Sequence, residues 1–467
     1  MKKVLILLLF QFILTQYVFC QWSQDEFIIG TFWDPILSTN TDTSDAIVTT
    51  HIANFQKARD AHFNLFTGSQ DHFNTPIGIV NSQTGMDYAL YIASQVSGIR
   101  YLVWDRSSTG FYQKNFNSSN ANNIVSHYTG LDTDRRNTMY GYHIWDEPFT
   151  SNASETKSWV NYLKTNDPDK LAYINLLPIY GFENRTDYEA YLDLYLNDTN
   201  TANNPDVVAF DHYPFLSTGT RTDYFYNISI IREKAGSRPF WVYPMSAGHN
   251  TYLDPNENHL RFMVFCPIAY GAKGIIYFTY ELVNYNSNST EVYRTALIHE
   301  TSEQLNYSVV QTINHYITNV LGPVVMNSKH IGAYHVSSNP TGETIPDKEL
   351  ISPNKTPLLY ELNDNQLMAG IFQDNSTTTT YYILVINKSL SEITNATVTL
   401  KGSYNSGVQL APLLYNYTGS TNYTSASVSV NSTTNKTEVS LDSLRGGECK
   451  LIRIMNVTNI YVPAMKN

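Results

Sequence analysis

MYGYHIWDEP, residues 139–148, is the stretch on which the rest of the chain turns. Met139 to Trp145 is rich in aromatic side chains and reads as a strand. The strand runs out in two adjacent carboxylates, Asp146 and Glu147, and then Pro148. Seven similar short runs flank it: Phe27 to Trp33, Phe63 to Thr67, Ile99 to Trp104, Leu171 to Leu176, Val207 to Asp211, Phe240 to Tyr243 and Gly274 to Thr279. Helical patterns lie between them. Ile52, Phe55 and Ala58 recur at helical spacing, and further helices are expected over 86–96, 121–128, 155–163, 188–196, 224–234, 256–269 and 302–320. Strands that are nearly continuously apolar and alternate with helices imply a parallel sheet covered by helices. Eight such units over about 300 residues predict a (β/α)8 barrel, a TIM barrel. An open doubly wound sheet is the alternative, and no Gly-rich phosphate loop follows the first strand to support it.

Beyond Gly322-Pro323 helical periodicity ends. Ser, Thr and Asn rise, and the alternating runs YYILVIN (381–387), ATVTLKG (396–402), SASVSVN (425–431) and CKLIRIM (449–455) predict an antiparallel β-sandwich. The expected organisation is a leader over 1–20, a barrel over 21–322 and a sandwich over 323–467.

A (β/α)8 barrel keeps its chemistry at the C-terminal strand ends. In order these ends carry Trp33-Asp34, Thr67-Gly68, Trp104-Asp105, Asp146-Glu147, Asn175-Leu176, Asp211-His212-Tyr213, Tyr243-Pro244-Met245-Ser246 and Tyr280-Glu281. One rim thus gathers Asp, Glu, Trp and Tyr, the mixture that grips sugars: rings for the C–H faces and carboxylates for the hydroxyls. Glycosidic cleavage needs one protonated and one ionised carboxyl whose pKa values are pushed apart. Glu147 is the candidate acid, because Asp146 beside it would raise its pKa. Asp211 is the best second carboxylate, and Glu281 the next. Asp146, Trp33, Trp104, Tyr213, Tyr243 and Tyr280 are candidate sugar contacts. Asp146 could instead cap the helix that follows, and His143 is expected to be a satisfied core histidine.

The barrel resembles the TIM-barrel glycoside hydrolases that include the family 42 β-galactosidases and the family 5 cellulase-like enzymes. The resemblance rests on IWDEP, on DVVAFDHYPF and on RPFWVYPMSAG with LRFMVFCPIAYGAKGIIYFTY. It implies that Glu147, after strand four, is the acid/base. Two departures stand against it. Those enzymes usually carry Asn before that Glu, where this chain has Asp146. Their nucleophile is a Glu at the end of strand seven, where this chain has Tyr243-Pro244-Met245-Ser246.

The bulk numbers bound the partners. The chain has 467 residues, a net charge of −11 and a pI near 5.5, with no Lys/Arg run past residue 3, so nucleic acid is not an expected partner. Lys2 and Lys3 precede a short apolar run, the pattern of a secretory leader. The run is well short of the roughly 20 residues of a membrane span, so no stable membrane anchor is expected. A lipid at Cys20 is the lesser alternative, because Phe19 is bulky. Sixteen Asn-x-Ser/Thr sequons between Asn117 and Asn456, about twice the chance number, predict N-linked glycans on an exported protein. Cys266 and Cys449 could pair or remain buried thiols. His212 and His249 lack partners at metal spacing, no G-x-S-x-G stretch offers a serine nucleophile, and no metal or cofactor is expected. The reading is therefore a secreted glycoside hydrolase-like protein. The rivals are a carbohydrate-binding protein on a degenerate hydrolase barrel and an extracellular structural glycoprotein.

Overall fold

The computed structural model describes residues 21–35, 45–68, 83–281, 293–299, 302–337, 344–411 and 423–457. The expected leader, residues 1–20, lies outside them, as do the sequons at Asn288, Asn416 and Asn422.

Eight parallel strands close into a barrel: β1 (Ile28–Phe32), β2 (Leu65–Thr67), β3 (Arg100–Val103), β4 (Met139–Asp146), β5 (Leu171–Leu176), β6 (Val208–Asp211), β7 (Phe240–Tyr243) and β8 (Gly274–Tyr277). Ladders join β1 to both β2 and β8, so no edge is left and the open-sheet alternative is excluded. Helices cover the outside, among them α1 (Asp45–Asp60), α2 (Ala153–Asn166) and α3 (Glu257–Ala269). The barrel interior is filled by rings rather than by aliphatic layers. Trp241 stacks on Tyr173 with centroids 5.6 Å apart, and Tyr173 meets His143 edge-on at 4.9 Å. Phe32 and Trp104 close the column above them, 5.1 Å apart. Gly68 (φ +70) ends β2 because a Cβ there would lie 2.0 Å from the Trp104 ring, so only glycine lets that indole cross the strand end.

The helical stretch after β8 comprises Leu305–Tyr316, a wider turn over Ile317–Leu321 and Gly322–Met326. Helical backbone thus runs through Gly322-Pro323, with Pro323 in the first turn of the last segment, where a proline's missing N–H costs nothing. Two antiparallel sheets follow. One has six strands, Ser328–His335, Leu367–Asp374, Tyr381–Asn387, Cys449–Ile454, Val408–Leu410 and Thr424–Ser425; the other has four, Leu359–Leu362, Ile393–Lys401, Lys436–Leu444 and Val428–Asn431. Their inner faces share one apolar core that includes Ile371, Val398, Leu441 and Ile452.

The outer face of the six-stranded sheet receives α3. Arg261, 1% exposed, gives its Nε hydrogen to the Gly446 carbonyl at 2.9 Å and pairs with Glu257. Tyr270 donates to Glu349 at 2.7 Å and bonds His335 at 2.8 Å. Cys266 on α3 and Cys449 on the sheet are both buried thiols, and burial first, then Glu448 and Cys266, pushes the Cys449 thiol well up.

Candidate active site

The barrel's C-terminal face opens into a cavity of about 620 Å³, within the range of small-ligand sites. Residues from six strand ends line it: Phe32 and Trp33 at the end of β1, Asp146 and Glu147 at the end of β4, Asn175 on β5, Asp211 and Tyr213 at β6, Tyr243 on β7 and Phe278 after β8. Tyr112 and Gln113 from the loop after β3, and Tyr180, His249, Tyr252 and Tyr293 from other loops, complete the wall. Trp33 (φ +65) and Glu147 (φ +51) both sit in the left-handed region, which non-glycine residues seldom occupy. Such outliers concentrate at functional sites, because the surroundings must hold them there. For Glu147 the hold is a backbone hydrogen bond from its N–H to the Asn175 carbonyl, 2.9 Å, which continues the β4–β5 ladder past Asp146.

Three carboxyls meet on the floor. Asn175 lies opposite Asp146 in the ladder, and its Nδ2 donates to Asp146 Oδ1 and to Asp211 Oδ1, each at 3.0 Å. One amide thus clamps carboxylates from two strands, with the acceptors at most about twice that distance apart. Glu147 lines the same floor and lies near enough to Asp211 to lower its pKa. Carboxyls gathered this closely resist ionising together, so the cluster favours keeping a proton. Desolvation pushes Asp146 up to about 6, against the Asn175 hydrogen bond. Asp211 goes up to about 7, by desolvation first and the Asp146 charge second, against the bonds from Asn175 and Glu147.

Of the sugar contacts read from the sequence, Asp146, Trp33, Tyr213 and Tyr243 line the cavity. Asp146 is clamped by Asn175 rather than capping a helix. Tyr243 shares a 2.7 Å hydroxyl–hydroxyl bond with Tyr173 below it. Trp104 is not part of the lining; it is 2% exposed and packs on Phe32, Tyr112 and His143. Tyr280 packs edge-on against Phe63 and faces the helix layer, where Tyr307 stands. Glu281 is 4% exposed and bridges to Ile298, away from the cavity. β8 ends at Tyr277, so Glu281 lies four residues past the rim and Phe278 takes the place at the mouth. His143 bonds Thr67 through Nδ1 at 2.7 Å, while its Nε2 has no partner, and burial holds it neutral, down to about 3. His212 pairs with Asp223 at 2.9 Å. Asp34 accepts from Tyr101 at 2.6 Å. After β7 the chain presents Met245, bridged to Phe278, and Ser246, whose Oγ donates to the Thr279 carbonyl.

Residues 183–320, from the helix after β5 into the helical stretch after β8, match the model of glycoside hydrolase family 42, described as beta-galactosidase. Over that segment the chain is similar to glycoside hydrolases. In overall shape it is similar to the β-galactosidase of Bacillus circulans sp. alkalophilus, with a TM-score of 0.55 and 9% identity over 92% of this chain and 99% of that one. It is also similar to the Paenibacillus sp. cycloisomaltooligosaccharide glucanotransferase complexed with cycloisomaltoheptaose (0.49, 10%, 91% and 84%) and to N2152 of Neocallimastix frontalis (0.43, 11%, 92% and 96%). At these identities the likeness concerns the fold. No curated protein matches the chain by sequence.

The rim reading missed Asn175 as a clamp, and with it Tyr180, Tyr252, His249 and Tyr293. Asn175 ends a strand, which was visible; its cross-strand partners were not.

Proposed function

We propose that the chain hydrolyses O-glycosidic bonds of an oligo- or polysaccharide, with Glu147 as general acid and Asp211 as the second carboxylate. The observation that carries this reading is that Asp146, Glu147 and Asp211 line the floor of one aromatic-walled cavity, with a single amide clamping the two aspartates. Glu147 would supply the proton that a leaving oxygen needs. In a retaining reaction Asp211 would attack the anomeric carbon and Glu147 would return as base for water. Asn175 would hold Asp211 in line, and Trp33, Tyr213 and Tyr243 would bear on the ring. The family description of the matched segment supports a β-galactoside-type bond.

The reading includes export through the leader at 1–20 and N-glycosylation. Asn117, Asn184, Asn197, Asn354, Asn375, Asn395, Asn431, Asn435 and Asn456 are exposed sequon positions, which supports it. Asn227 and Asn387 are fully buried and Asn306 nearly so, with side chains engaged in internal hydrogen bonds, so they are chance matches to the sequon.

The end of β7, which lacks a carboxylate, favours a second reading, a non-catalytic carbohydrate-binding protein. A panel of aryl glycosides separates the two. Turnover by wild type that Glu147→Gln abolishes supports hydrolysis. Glycan binding without turnover by wild type supports the second reading.

A further inference from the structure

A cation stands beside the cavity wall and is held there by packing. A short hairpin beyond β6 pairs Phe215–Leu216 with Gly219–Thr220. It is tied to the loop after β7 by a Leu216–Tyr252 bridge and by the Ser217 N–H, which donates to the Thr251 carbonyl at 2.9 Å. Arg221 follows the hairpin, and its backbone N–H donates to the Pro214 carbonyl at 2.8 Å, so the start of its side chain is fixed. Its guanidinium lies over the Tyr180 ring, 3.7 Å from the centroid, and 6.0 Å from that of Tyr252. Both tyrosines line the cavity, and their hydroxyls are 3.4 Å apart. His212 meets the Tyr180 ring edge-on at 5.0 Å, so the ring under the guanidinium is itself held. Among the described residues the Arg221 side chain enters no ion pair and no hydrogen bond; Asp223, just beyond it, is taken by His212 Nε2 at 2.9 Å. Of the three guanidinium nitrogens only Nε is buried without a partner, and the two Nη groups reach solvent.

An arginine held by an aromatic ring rather than by a carboxylate keeps its planar fork of donors for an outside acceptor, and that fork matches the paired oxygens of a carboxylate or a sulfate. We propose that Arg221 is the anion-recognising residue of this site, and that the saccharide is an acidic one, with a uronate or sulfate group on a sugar unit that rests against Tyr180 and Tyr252. This rests on the carbohydrate reading given above. The two rings offer a wall to the C–H faces of the sugar, and Arg221 beside them takes its charge. Stacking on Tyr180 orders the guanidinium in advance, so little freedom is lost when the anion arrives. The charges are also divided in space. Asp146, Glu147 and Asp211 sit on the floor, at the ends of β4 and β6, and serve the bond to be cleaved, whereas Arg221 stands beyond β6 at the Tyr180 side. The chain carries a net charge of −11 and has no general attraction for anions, so a preference for an acidic saccharide has to arise locally.

The test is isothermal titration calorimetry on the full chain at neutral pH and low salt. The probes are β-galactosyl-glucose disaccharides linked through sulfur to resist cleavage: the neutral parent, its uronates with the carboxylate on either ring, and its 6-sulfates on either ring. At least one acidic member should bind about tenfold or more tighter than the parent, the discrimination of one charge-assisted hydrogen bond. The uronate and sulfate arms show which anion the fork prefers. The preference should weaken as salt rises, because part of the guanidinium faces solvent. Arg221→Gln should bring the ratio of acidic to neutral binding down to about one, and Arg221→Lys should restore only part of it, since an ammonium keeps the charge without the fork. The comparison on wild type stands without the variants. Equal binding of acidic and neutral members by wild type, or a preference that survives Arg221→Gln, would overturn the inference while leaving the proposed function in place. If no saccharide of the series binds, both fall.

Discussion

Replacing Asp211 with Asn should make the protein more stable at alkaline pH while removing the second carboxylate of the site. The Asp211 carboxyl titrates at about 7 in the fold against an ordinary 3.8. Between those values the folded state binds a proton that the unfolded chain does not, so this group's contribution falls as pH rises through that window and levels off above the folded pKa. Integrated up to the folded pKa, that amounts to roughly 2 kcal/mol from pH 5 to 7. Asp146 shares in the titration, so one substitution recovers roughly 2 kcal/mol by pH 8. Asn at 211 keeps the shape, can accept from Asn175 and can donate to Glu147. His143, His259 and His330, held by burial down to about 3, 4 and 3, give both proteins a dependence of opposite sign, stability lost as pH falls below the ordinary histidine range. That dependence cancels in the difference. Urea denaturation followed by tryptophan fluorescence from pH 5 to 8 measures it. The variant should be close to wild type at pH 5 and about 2 kcal/mol more stable, relative to that baseline, at pH 8. A flat difference, or a variant that loses ground as pH rises, would refute the shared-proton account.

Further consequences divide the tryptophans, the acids and the sequons. Trp104→Ala should cost about 3–5 kcal/mol of stability through the cavity it leaves, read by thermal denaturation. Trp33→Phe, at the cavity wall, should instead raise KM for oligosaccharides by more than it lowers Tm. Glu281→Gln should leave turnover of aryl glycosides near the wild-type level, because Glu281 bridges to Ile298 outside the cavity; a loss matching that of Glu147→Gln would contradict this placement. In material exported from a eukaryotic cell, peptide mass spectrometry should find Asn227, Asn306 and Asn387 unmodified, while exposed positions such as Asn375 and Asn435 carry glycan.

The barrel was legible because parallel strands buried on both faces leave nearly unbroken apolar runs, as in LAYINL and FWVY. Sandwich strands were legible where they carry an apolar or clearly alternating run, as in YYILVIN and ATVTLKG. SKHIGAYH and KTEVSLDSL interleave charged and polar residues with apolar ones and did not stand out. The strand ends located Asp146, Glu147 and Asp211 because a barrel sends every C-terminal end to one face. Glu281 was read at the rim because the apolar run continues to Phe278 and Thr279, whereas the ladder with β1 ends at Tyr277 and Phe278 lines the mouth. Trp33 and Trp104 look equivalent in sequence, and only the left-handed turn at Trp33 and the glycine at 68 send one to the cavity and the other into the core. The clamp by Asn175 depends on register between β4, β5 and β6, which no single strand encodes.

The central assignment, Glu147 as proton donor to the leaving group, is tested most directly by comparing wild type and Glu147→Gln on aryl glycosides whose leaving groups differ in basicity. A general acid contributes about 10²–10⁴-fold where the leaving oxygen needs its proton. With 4-nitrophenyl and unsubstituted phenyl glycosides the variant should lose kcat/KM by that factor, and the loss should shrink towards nothing with a 2,4-dinitrophenyl group. Equal losses across the series, or no loss on any substrate that wild type cleaves, would contradict the assignment.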